Sequence, residues 1–174
     1  MATNRKLGRT TDIRLSMLKT QVTDLLWHEK IETTLTRAKE TKAIADSLIA
    51  LAVKEADNYE EVEVKVSKAK LDERGNKVTE LAKSKNGREY LKVVREETTE
   101  KRKKDMPSKL NARRKIMRNV NKVKDSDGNA VDIPTKLFDE LAPKYKDNNG
   151  GYTRIIRKGP RKGDSAEVVI LELI

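Results

Sequence analysis

From Ile13 the chain places Leu15, Leu18, Val22, Leu25 and Leu26 at helical spacing, with Arg14, Lys19, Gln21 and Asp24 between them. This recurrence predicts an amphipathic helix from about Asp12, a candidate N-cap, to about His28. Ile31-Glu32-Thr33-Thr34-Leu35 is short and β-branched, which predicts a strand. A second helix is predicted from about Thr36 to Lys54, with Ala38, Ala45, Leu48, Ile49 and Ala52 on one face and Ile44 and Leu51 widening it. Beyond it the period changes. Val62, Val64 and Val66 alternate with Glu63 and Lys65, the pattern of a half-buried strand. Arg74-Gly75-Asn76 offers a turn into a return strand at 77–81, and Tyr90–Val94 follows the turn dipeptide Asn86-Gly87. Glu96 to Asp105 is almost wholly polar and reads as a linker.

Asp105-Met106-Pro107-Ser108-Lys109-Leu110 is echoed by Asp132-Ile133-Pro134-Thr135-Lys136-Leu137. In both, proline sits where the first helical turn tolerates a missing N–H, so each predicts a helix start. The first helix runs through Leu110, Ala112, Ile116, Met117 and Val120; the second through Leu137, Phe138, Leu141 and Tyr145, with Pro143 kinking or shortening its last turn. Asp125–Asn129 reads as a loop without the ligand spacing of a calcium-binding EF-hand. After Gly150-Gly151 come two strand-like runs joined by Gly159-Pro160-Arg161-Lys162-Gly163-Asp164, a predicted hairpin. The expected fold is α+β: three to four helices on a small sheet that ends in a C-terminal β-hairpin, with an N-terminal arm. Residues 1–174 form one domain, and 55–109 a β-hairpin appendage inserted within it.

Charge changes this picture most. Of 174 residues, 39% are charged and 36% hydrophobic, and 39 Lys+Arg against 28 Asp+Glu leave a net charge of +11. Residues 1–54 carry an excess of four cations, 55–109 of two and 110–174 of five. The flanks therefore predict a polyanion-binding body, and the middle a near-neutral insertion. Arg157, Lys158, Arg161 and Lys162 crowd the hairpin turn, which suits a phosphate grip or an ordinary solvated basic loop; those residues alone leave both open. The arm, with Arg5, Lys6 and Arg9, reads as a segment that orders along a nucleic-acid backbone or as an idle tail, and Arg14 begins the first helix close to it. Arg37, Lys39 and Lys42 stand in the first turns of the second helix, where they oppose the macrodipole, so binding is a better reason for them than stability.

Catalysis finds little support. There is no cysteine and one histidine, His28, better placed as a helix-end cation than as a catalyst. No Walker loop or dinucleotide fingerprint occurs, and no cofactor, metal site or small-molecule substrate is expected. The aromatics make no stacking platform of the RNP type. No apolar run approaches the roughly 18 residues of a membrane span, which predicts a soluble, cytoplasmic protein with no membrane partner.

Six blocks carry a family likeness: Arg5-Lys6-Leu7-Gly8-Arg9-Thr10; Ile31-Glu32-Thr33-Thr34 with Thr36-Arg37-Ala38-Lys39-Glu40; Leu110-Asn111-Ala112-Arg113-Arg114; Lys136-Leu137-Phe138-Asp139-Glu140-Leu141; Gly150-Gly151-Tyr152-Thr153-Arg154-Ile155; and Gly159–Asp164. In this order they resemble the bacterial large-subunit ribosomal protein L17 family. The resemblance implies a small mixed sheet in which the Ile31–Leu35 strand joins the C-terminal hairpin. It also implies binding to large-subunit ribosomal RNA on the solvent side near the polypeptide exit, beside neighbouring large-subunit ribosomal proteins. By position, Arg5, Lys6, Arg9, Arg37, Lys39, Arg113, Arg114, Arg154, Arg161 and Lys162 would carry RNA contacts. The segment 55–109 departs from the shorter members, and its balanced charge suggests that it meets a neighbouring protein or solvent. The competing reading is a free-standing regulator or nucleoid-type protein that binds nucleic acid non-specifically; an RNA-modifying enzyme is disfavoured by the missing catalytic groups.

Overall fold

The computed structural model describes residues 5–125 and 127–174; the first four residues of the basic arm and Ser126 of the 125–129 loop lie outside the described residues. In chain order the elements are α1 (Thr11–His28), β1 (Lys30–Thr34), α2 (Leu35–Glu55), β2 (Tyr59–Ala69), β3 (Thr79–Lys83), β4 (Glu89–Val93), β5 (Arg95–Asp105), α3 (Pro107–Asn119), β6 (Val123–Lys124), β7 (Ala130–Val131), α4, β8 (Thr153–Pro160) and β9 (Glu167–Leu173). The helix α4 runs over Ile133–Lys136, widens into a π-helical turn at Leu137–Leu141 and ends at Ala142–Lys144. Among the described residues no helix is long and apolar enough to cross a membrane. The architecture is α+β, and the chain falls into two compact units, Met1–Asn58 with Met106–Ile174, and Tyr59–Asp105.

In the first unit β9 is the central strand, flanked by β1 and β8. Leu171 lies between Ile31 and Ile155, and Val169 between Thr33 and Arg157. The strand at 31–35 thus joins the hairpin as expected, but every pairing is antiparallel, where a mixed sheet was expected. The reason is topological: β1 and β8 run the same way, and β9 separates them. Leu25, Ala38, Ala45, Val169 and Leu171 form one buried cluster between helices and sheet; a larger one gathers Val22, Leu26 and Ile49 with Ile116, Leu137 and Tyr145.

α1 and α2 match their predicted spans to within a residue or two, with two differences. The N-cap is Thr10, and Asp12 lies in the first turn. Leu15, placed on the core stripe by its spacing, is 50% exposed. The Gln21 amide donates to the Thr33 hydroxyl at 3.0 Å and accepts from the Thr41 hydroxyl at 2.9 Å, fixing the middle of α1 against β1 and α2. α1 runs back along β1 from this point, so its first ten residues, Leu15 among them, occupy roughly 15 Å of helix leading toward and beyond the Thr34 end of the strand. The turn from α1 into β1 uses Glu29 in the left-handed region, at φ 63°. Lys136 closes that end by donating to the Trp27 carbonyl at 2.7 Å and pairing with Glu29 at 3.1 Å.

Both proline-marked helix starts are present. Leu110 and Met117, however, are 39% and 55% exposed, so Ala112 and Ile116 alone supply the buried face of α3. In α4, Pro143 has no N–H to offer Asp139, and the ladder opens ahead of it: the Ala142 N–H bonds the Leu137 carbonyl. The Tyr145 hydroxyl then donates to the Ile174 carbonyl at 2.6 Å, which ties the end of α4 to the chain terminus.

The second unit corrects two expectations. Val62–Val66 does not pair with 77–81; β2 pairs with β5 over eleven residues, and β3 with β4. Glu96–Asp105, read as a linker, is therefore most of a strand. It lacks an apolar pattern because charge opposition across the ribbon replaces burial, with Glu60, Glu61 and Glu63 facing Lys104, Lys103 and Lys101. The turn at 74–76 and the Asn86-Gly87 turn both occur where the sequence puts them.

Candidate nucleic-acid interface

Register places three chain segments at one end of the three-stranded sheet. Thr34, the last residue of β1, aligns with Val168, and Val168 aligns with Gly159. With strands about 4.8 Å apart, the start of α2 at Leu35 lies roughly 10 Å from the base of the hairpin tip. α1 overhangs the same end. The N-termini of α2 and, farther out, α1 therefore lie toward the same end of the sheet as the β-turn, and the partial positive charge of each adds to the local cations.

The tip is built to hold its shape. A register shift between Arg157 and Gly159 leaves Lys158 unpaired in the ladder, and Gly159 takes φ 117°, a backbone that side chains disfavour. Past Pro160, Arg161 N–H donates to the Ala166 carbonyl at 2.9 Å and Ser165 N–H to the Arg161 carbonyl at 2.8 Å. The Arg161 guanidinium spans both oxygens of Asp164, at 2.9 and 2.5 Å. That fork, followed by the Ala166 N–H, pulls the Asp164 carboxyl down to about 2. Because the folded value lies below the ordinary 3.8, this brace is fully present above about pH 4 and is lost as pH falls through 2. An NMR titration of the Asp164 carboxyl carbon should show a midpoint near 2; a midpoint at the ordinary value would mean that the fork does not persist in solution.

Most candidate cations fall at this end. Arg5 sits 3.8 Å from Glu40 of α2, which brings the described part of the arm against the helix start. Lys6 and Arg9 share a turn closed by Arg9 N–H to the Lys6 carbonyl at 3.1 Å. Arg14, Arg37 and Lys39 lie in the first turns of α1 and α2. Arg157 pairs with Glu167 at 3.3 Å, Lys158 with Glu32 at 2.9 Å and Arg161 with Asp164, all on the surface. Lys6, Arg9, Arg14, Arg37, Lys39 and Lys162 make no ion pair among the described residues. Exposed pairs of this kind contribute little to stability, so phosphate can replace the carboxylate at small cost.

Three candidates lie elsewhere. Arg154, at the opposite end of β8, is held by Glu172 at 2.6 Å. α3 begins beside the C-terminal end of α2, where Lys109 donates to the Ala56 carbonyl at 2.9 Å, and α2 itself is roughly 30 Å long. There Arg113 bonds Asp132 at 2.9 Å and the Thr135 hydroxyl at 2.6 Å, bracing the start of α4, while Arg114 is exposed. The Thr135 hydroxyl, with Arg113 adding to it, keeps Asp132 below the usual carboxylate range.

Sequence reasoning gave Lys42 to binding and missed Asp46, and both instead set this geometry. Lys42 donates to the Thr153 carbonyl at 2.7 Å and Asp46 accepts from the Thr153 hydroxyl at 2.8 Å, locking α2 across β8. Neither has a local signature; both depend on pairing over more than a hundred residues. Asp164 alone was legible, three residues after Arg161 in a turn. Among the described residues no group of three or more acidic or histidine side chains is disposed to hold a metal.

The family model for ribosomal protein L17 matches residues 17–174. Curated relatives, each described as large ribosomal subunit protein bL17, include one from Acetivibrio thermocellus at 58% identity over 174 residues and one from Ruminiclostridium cellulolyticum at 53% over 174. A third, from Lachnospira eligens, is 47% identical over 184 residues. In all three the similarity covers 100% of both chains, so it includes residues 59–105.

Proposed function

The chain belongs to the ribosomal protein L17 family, and from that premise we propose that it is a structural, non-catalytic constituent of the large ribosomal subunit that grips large-subunit rRNA through backbone phosphates. One observation carries this reading: the starts of α1 and α2 and the β8–β9 tip share one end of the sheet and bring most of the candidate cations with them. Cations held on rigid elements at a fixed spacing suit a prefolded polyanion, and they read shape more than base sequence. Arg5, Lys6, Arg9, Arg14, Arg37, Lys39, Arg157, Lys158, Arg161 and Lys162 form the principal grip. Arg113, Arg114 and Arg154 make secondary contacts, since they lie away from that end of the sheet. Neighbouring large-subunit proteins are the other partners, and residues 55–109 are an appendage inserted in the rRNA-binding domain.

Sedimentation of a cell lysate through sucrose at moderate salt tests this directly. The expected result is stoichiometric protein in the large-subunit peak. A pool that stays at the top of the gradient or follows DNA would instead support the free-standing nucleic-acid binder.

A further inference from the structure

The unit Tyr59–Asp105 divides into a charge-compensated ribbon and an uncompensated tip. Along β2 and β5, Lys68 pairs with Glu100, Lys70 with Glu96 at 3.0 Å and Arg102 with Glu100 at 3.1 Å, and the base is a ladder of opposite charges. The β3–β4 hairpin differs. Its turn is closed by Ser84 N–H to the Arg88 carbonyl at 2.8 Å and Gly87 N–H to the Ser84 carbonyl at 2.9 Å, with Gly87 at φ 75°. Lys83 is matched by Glu89 at 3.3 Å, but Lys85 and Arg88 make no ion pair among the described residues and are exposed.

The second observation concerns the rings. The chain has four Tyr, one Phe and one Trp. Phe138, Tyr145 and Tyr152 are buried, and Trp27 and Tyr59 are half-buried. Tyr90 is 49% exposed, and it stands two residues from Arg88. Its cross-strand partner is Ala82, too small to cover the ring.

We propose that this hairpin tip binds an unpaired RNA segment, with Lys85 and Arg88 on its phosphates and one base stacked on Tyr90. The proposal rests on the rRNA-binding reading and adds to it a second, separate point of attachment. Cations beside one half-exposed ring are what single-stranded nucleic acid requires, since every base has a face to stack and every linkage a charge. A duplex would engage the cations and leave the ring idle. An acidic protein surface would also meet the cations, but it gives the half-exposed ring no task.

The test uses the full chain and transcribed large-subunit rRNA, with affinity measured across a salt series. Lys85→Glu with Arg88→Glu should lower the slope of log affinity against log salt by about 1.4, the value for two single-strand phosphates. Tyr90→Ala should weaken binding roughly tenfold with the slope unchanged, and Tyr90→Phe should bind within about twofold of wild type. Unaltered binding in the charge variant, or equal loss with Ala and Phe at position 90, overturns the proposal. If wild type itself does not bind this RNA, the parent reading fails instead. Protein-partner docking would appear as wild-type rRNA affinity in every tip variant, which also overturns it.

Discussion

Leu171→Ala is expected to cost the hairpin-bearing unit about 3 kcal/mol and to lower its melting midpoint by roughly 6 to 12 °C. Leu171 is fully buried on the central strand, aligned with Ile31 on one side and Ile155 on the other, and it belongs to the cluster that receives Leu25, Ala38 and Ala45 from the two helices. Truncation leaves a cavity that all these elements line, and none can close it without breaking strand register. The control is Ile156→Ala on the outer face of the same sheet, where the side chain is already 41% exposed and the cost should stay near 1 kcal/mol or below. Thermal melts followed by circular dichroism compare the two directly. Equal losses would mean that the sheet is not seated on the helices as described. RNA affinity should fall with Leu171→Ala only near the melting range, because the grip depends on β1, β8 and β9 staying in register.

What could be read from the chain tracks what is local. The helices α1 to α3 and the C-terminal hairpin follow from apolar spacing, proline starts and turn residues, and each is set mainly by its own neighbourhood. The failures share a cause. Leu15 has the right spacing for the core, yet burial depends on what other chain segments reach that part of α1, and there Leu15 is 50% exposed. β5 carries no apolar alternation because its strand character comes from β2, whose charges oppose its own. A pattern read one strand at a time cannot find it.

The candidate interface divides in the same way. That Arg161 and Lys162 occupy a turn was plain, and so was their charge. That the turn shares an end with the start of α2 follows only from Thr34, Val168 and Gly159 lying in one row, and the place of α1 only from the Gln21 hydrogen bonds. Arg113 shows the converse. Its place in a basic helix suggested RNA, but Asp132 and Thr135 hold it as part of the α4 start. Charge is legible in a sequence; whether a charge is already engaged is a property of the fold.

Reversing the tip charges should have the largest effect on binding. Arg161→Glu with Lys162→Glu is expected to lower the salt dependence of rRNA affinity by about two phosphate contacts, and to weaken binding strongly at moderate salt because two attractions become repulsions. Arg161 also braces the turn through Asp164, so the double variant alone would mix charge with shape. Lys162→Glu separates them: Lys162 has no ion pair among the described residues, the brace is kept, and the slope should drop by about one contact. Lys65→Glu with Lys68→Glu is the comparison, since Lys65 faces Thr99 and Lys68 is engaged by Glu100 within the β2–β5 ribbon. That pair should change the slope little. If the ribbon variant lost as much as the tip variant, affinity would be following net charge and not the fixed placement of cations, and the grip at the end of the sheet would have no special standing.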